Sequence, residues 1–169
     1  KAHSRPAAQH TRVGAQVKES LSFLKKNGII PILFAFCFAT GFALNAIEIY
    51  WQPALASYQP AYWTFGAVSF AGFGFVIFGN WIAERFLRRH KQTGVGPLLL
   101  LKPLFGAGLI LFSFSDSKFT LVGIYLLLYL LLGGGGVVES TLLNQFASSS
   151  HRASILSLFS FVLQVGGVL

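Results

Sequence analysis

Gly79-Asn80-Trp81-Ile82-Ala83-Glu84-Arg85-Phe86-Leu87-Arg88-Arg89-His90-Lys91 is the stretch on which the reading of this chain turns. Long apolar runs lie on both sides of it. Its end collects four cations, Arg85, Arg88, Arg89 and Lys91, within seven residues. Apolar segments joined by a short basic loop describe a multi-pass membrane protein, and such a loop marks the cytoplasmic side. The rest of the chain is threaded from this point.

The composition agrees. Of 169 residues, 54% are hydrophobic and 11% charged, with a mean hydropathy of +0.64. Soluble domains carry about 25% charged residues. Eighteen Gly point the same way, because glycine is commoner in membrane helices than in soluble ones. The net charge of +8 does not read as a nucleic-acid surface, since the cations flank apolar runs instead of covering a polar fold. Cys37 is the single cysteine, which excludes an internal disulfide, and it reads as a small packing residue. His3, His10, His90 and His151 stand in polar segments without a second ligand at metal spacing, so no metal or other cofactor is expected. No catalytic set of an enzyme stands out either.

In chain order, residues 1–28 read as a cytoplasmic loop followed by an amphipathic helix over Gln16 to Asn27. Val17, Leu21 and Leu24 share one face, and Lys18, Glu19, Lys25 and Lys26 lie elsewhere. Residues 29–169 read as a transmembrane helical domain, with spans over about 29–51, 62–83, 97–113, 119–146 and 153–169. The third carries Lys102-Pro103, and Gly133-Gly134-Gly135-Gly136 interrupts the fourth. Lys and Arg counting puts the N-terminus inside. The fold expected is therefore all-α and integral to the cell membrane, a multi-pass bundle of about five transmembrane helices. The odd number of spans leads us to expect a piece of something larger.

Two motifs give this order a family look. Glu84-Arg85 and Arg88-Arg89 fit the acidic-basic core of the loop between the second and third helices of a major facilitator superfamily half. Asn80 stands where that motif has its first Gly, and Leu87 replaces the second. Asn144 followed by Arg152-Ala153-Ser154-Ile155-Leu156-Ser157 looks like the inner loop before the eleventh helix. The chain thus resembles the C-terminal half of such a transporter, its spans matching the seventh to eleventh of twelve. The resemblance implies a small-molecule substrate, a partner N-terminal half of the same transporter, and a gating role for Glu84, Arg85, Arg88, Arg89 and Arg152.

Charges inside a span are costly, about 2.5–3.5 kcal/mol at the helix centre. Glu48, Lys102 and Glu139 are the candidates. Asn45, Glu48 and Gln52 share a helical face, and Tyr50 and Trp51 are read as standing beside it. A carboxylate next to aromatic rings receives a lipophilic cation, or holds a proton. Glu139 and Lys102 lie at similar depths, roughly 12 and 9 Å from the inner ends of their spans, which permits an ion pair. Lys102 can instead snorkel to the head groups. The function expected is proton-coupled export of amphipathic or cationic small molecules. Uptake of a small metabolite and a non-transporting membrane scaffold remain the alternatives. Cysteines introduced at Gln92 and Ser149 should label from the cytoplasm and one at Gln59 from outside; labelling of Gln59 and Gln92 from one side contradicts this threading.

Overall fold

The computed structural model describes residues 28–90, 95–147 and 152–168. Among these residues the regular structure is five helices: α1 (Ile29–Ala56), α2 (Trp63–His90), α3 (Gly96–Ser113), α4 (Lys118–Phe146) and α5 (Arg152–Val168). The first four are long and apolar enough to cross a membrane, and α5 is apolar but shorter over its described length. Local chemistry sets several ends. Pro97 begins α3 where a missing N–H costs nothing. Ser117 caps α4 by accepting a hydrogen bond from the Thr120 amide at 3.2 Å. Gln59 closes the turn after α1 with φ of 48°, a left-handed conformation uncommon outside glycine.

Three expectations need correction. The basic stretch is not a loop: Glu84 to His90 form the last turns of α2. Glu84 and Arg88, four apart, pair across one helical turn and favour its continuation. Second, α1 does not stop near Trp51 but runs through Pro53 to Ala56. A proline near a helix end removes one backbone bond, and the turn continues with Ser57 N–H donating to the Pro53 carbonyl at 3.2 Å. Third, the four glycines do not interrupt α4. Neighbouring helices cover Gly133, Gly134 and Gly135, while Gly136 is exposed, and that packing outweighs the poor helix propensity of the run. The expected N-terminal loop with its amphipathic helix over Gln16 to Asn27, and the loop residues Lys91 and Ser148 to His151, lie outside the described residues.

Helix α4 is the centre of the bundle and packs against all four others. It runs parallel to α2: Gly72 of α2 meets Tyr125 and Tyr129, and Gly79, further along, meets Leu130 and Gly134. Likewise α1 runs parallel to α5, from the Phe34–Phe159 ring contact at 5.5 Å to Gly41 against Leu163 and Gly167. The two crossings are built alike. In one, Gly79 abuts the carbonyl of Leu130, and Gly133 abuts the carbonyl of Val76. In the other, Gly41 abuts the carbonyl of Leu163, and Gly166 abuts the carbonyl of Phe38. At all four glycines a Cβ would collide with a backbone oxygen.

Side chains then fill two core clusters. One joins Trp51 and Leu55 of α1, Val68 of α2, Phe105 of α3 and Tyr125 and Leu128 of α4. The other, toward the basic end, joins Leu33, Leu98, Val138, Leu142 and Ile155. Gly79→Ala or Gly133→Ala should lower stability by about 1–3 kcal/mol through overpacking. Gly74→Ala, with open space around it, should be neutral or stabilising by up to about 1 kcal/mol. Unfolding of the three variants in detergent checks this; equal midpoints contradict the close-packing account.

Candidate functional site

Where the two clusters meet, three helices bring polar side chains together. Thr40 comes from α1, Lys102 from α3 and Glu139 from α4. Lys102 Nζ donates a hydrogen bond to Thr40 Oγ1 at 2.6 Å, and the Thr40 hydroxyl donates to the Phe36 carbonyl at 2.7 Å. Lys102 Nζ also lies 2.6 Å from Glu139 Oε1. Glu139 Oε1 is buried, and this ammonium is what faces it. The two side chains are only 12% and 6% exposed. Of the two sequence-derived options for Lys102, the ion pair is the one found.

The backbone leaves room for this pair. Gly135 is one turn before Glu139 on α4, and a Cβ there would stand 3.9 Å from Lys102 Nζ. Cys37, one turn before Thr40, donates its thiol proton to the Phe159 carbonyl at 3.3 Å and so turns toward α5. Such an arrangement holds a pair of charges in a largely buried place. Removing one partner of a buried pair is costly, whereas replacing both with apolar groups is often neutral.

The expected receptor around Glu48 is only partly assembled. Trp51 Nε1 donates to Glu48 Oε2 at 3.3 Å. The Trp51 ring itself is buried, its centroid 5.0 Å from that of Tyr125 and 6.1 Å from that of Phe65. Its faces are therefore engaged by the protein. Tyr50 does not join the group. It lies about 200° around the helix from Glu48 and lines a separate cavity of about 690 Å³ between α1 and α3. Glu48 and Gln52 are exposed and Asn45 is half-buried on their shared face.

The residues assigned to gating make local contacts. Glu84 and Arg88 pair at 2.6 Å within α2, both well exposed, a geometry worth about 0.3–0.5 kcal/mol. Arg85 stacks over Trp81 at 5.7 Å, and Arg89 is exposed. Arg152 donates to the Asn144 carbonyl at 3.2 Å, which ties the start of α5 to the end of α4. Sequence reasoning overlooked Thr40, and it overlooked a polar groove of about 600 Å³ between α2 and α4. Asn80, Glu84, Ser140, Thr141 and Asn144 line that groove. The signal was present: Asn80 and Glu84, like Ser140 and Asn144, are four apart and so share a helical face.

No known protein family, curated protein or solved structure matches the chain. The site therefore has to be interpreted from its own chemistry. Lys102→Met should cost about 3–5 kcal/mol, because it leaves the Glu139 charge buried and unpaired, while Lys102→Met/Glu139→Leu should recover most of that loss. Denaturation of the single and double variants measures it; a double variant no better than the single one contradicts the pairing.

Proposed function

We propose that this chain is part of a secondary active transporter, of the kind its motifs resemble, that exports amphipathic or cationic small molecules in exchange for protons. The observation that carries the reading is the Lys102–Glu139 ion pair inside an apolar helical bundle. Ionisable groups in membrane-crossing helices are rare and mark substrate, ion or proton pathways. The polar groove between α2 and α4 adds support, because an apolar bundle surrounded only by lipid has no use for it. Glu48 supplies a carboxylate on an exposed face, steered by the Trp51 indole N–H.

In this reading Glu48 alternates between two cargoes. Ionised, it attracts a lipophilic cation. Protonated, it is neutral and releases that cation. One charge thus serves both, and their mutual exclusion couples export to the proton gradient. The basic end of the bundle is cytoplasmic, and the N-terminal half of the same transporter supplies the opposite wall of the path. Everted vesicles from cells expressing the complete protein that contains this chain provide the test, with tetraphenylphosphonium as the cation. Glu48→Gln keeps the side chain's shape but cannot ionise, so it should abolish proton-driven accumulation while leaving the folded protein's abundance unchanged. Normal accumulation by Glu48→Gln refutes the assignment of Glu48.

A further inference from the structure

A cavity of about 370 Å³ opens between α1 and α3, with Lys102 and Thr40 in its wall. The remaining wall is apolar, with Phe36 from α1 and Leu99, Phe105 and Leu109 from α3 among its residues. Small-molecule sites share this make-up, about 300–1,000 Å³ with apolar walls and a few placed polar groups. Leu99 is 62% exposed, so this wall continues onto the apolar outer surface of the bundle. A ligand that enters here comes from an apolar phase.

The ammonium in that wall is incompletely used. It carries three N–H donors; among the described residues it meets two acceptors, Thr40 Oγ1 and Glu139 Oε1, each at 2.6 Å, which leaves a third N–H for a ligand. Thr40 has already given its own proton to the Phe36 carbonyl, so it faces Lys102 as an acceptor and fixes the amine's position. Glu139 is held against the ammonium at 2.6 Å. An anion that reaches the ammonium competes with Glu139 for it, and protonation of that carboxyl group releases it from the pair. Lys102 is the charged group acting on Glu139, and the nearby titratable group from α1 is the Cys37 thiol. From α5 the neighbour is the Phe159 carbonyl, which that thiol already occupies.

We propose that this cavity binds an amphipathic organic anion, its acidic group on Lys102 and its alkyl part against Phe36, Phe105 and Leu109, and that Glu139 takes up a proton as the anion displaces it. The charges balance. Before binding the site holds an ammonium and a carboxylate. Afterwards it holds the ammonium, the ligand's negative charge and a neutral carboxyl group, with the proton drawn from the water phase. Two negative charges against one ammonium would leave a net charge in an apolar interior, which is heavily penalised. No covalent bond forms. This inference goes beyond the transport reading and does not depend on it, since Glu48 is not in the cavity wall and binding is measured without transport.

Decane-1-sulfonate, anionic across the working pH range, is the probe. The purified protein in neutral detergent is titrated with it while heat and proton uptake are followed. Uptake of about one proton per anion is expected, with affinity falling about tenfold per pH unit. Binding without proton uptake, or no binding, overturns the proposal. Lys102→Met/Glu139→Leu should take up no proton and show only the heat of mixing with the micelle; a response equal to that of the parent protein also overturns it. In Glu139→Gln the ammonium has lost its partner, so the sulfonate should raise the thermal midpoint and decanol should not. Equal effects of the two overturn the anion site. Should Glu139→Gln fail to fold, proton uptake by the parent protein and the double variant still decide.

Discussion

Helices in hydrocarbon gain little by hiding apolar side chains from lipid, so they are held by close van der Waals contact and by polar bonds. That constraint governs this bundle. At both parallel crossings a glycine on each helix lies against a backbone carbonyl of the other. No residue larger than glycine fits there without moving a backbone. The central place of α4 follows, because its glycines let α2 approach closely. The aromatic cluster of Trp51, Tyr125 and Tyr129 then fills the wider space away from the crossings.

Within that frame the two membrane carboxylates occupy opposite situations. Glu139 is buried and faces a fixed cation. Glu48 is exposed and accepts a hydrogen bond from the edge of a buried indole. The first is under structural constraint, and changing it alters folding before anything else. The second is free to meet a ligand without disturbing the core. A buried, paired carboxylate and an exposed one thus stand in the same chain, and the Thr40 hydroxyl positions the ammonium that faces the first.

The order of the helices among the described residues was legible, because length and hydropathy decide the four long ones, whereas the fifth is shorter than a full span over its described length. The Lys102–Glu139 pair was legible too, since depth along two helices limits which charges can meet. Helix ends were not. A basic stretch reads as a loop because cations avoid hydrocarbon, yet Glu84 and Arg88 sit four apart and support a helix that continues into water. The glycine run of α4 reads as a break because isolated glycines weaken helices, whereas contacts from α2 reverse that preference. Tyr50 was misplaced for a simpler reason. It is close to Glu48 in sequence, but helical periodicity puts it on the far side of the helix. Thr40 was invisible because one threonine in an apolar run carries no pattern.

Helix lengths add a consequence of their own. α1 and α2 have 28 residues each and α3 has 18, which is about 42 Å for the long ones and 27 Å for the short one. A hydrocarbon layer is about 30 Å thick. The excess of α1 starts near Glu48, and that of α2 starts near Glu84 and Arg85, at opposite faces of the bundle. Those two ends act as a ruler. A thicker bilayer draws Glu48 and the arginines toward lipid from opposite sides, and a thinner one frees both. Glu139, buried among neighbouring helices, keeps its surroundings in either case. Bilayer thickness therefore acts as a handle on one carboxylate of the pair Glu48 and Glu139 and leaves the other untouched.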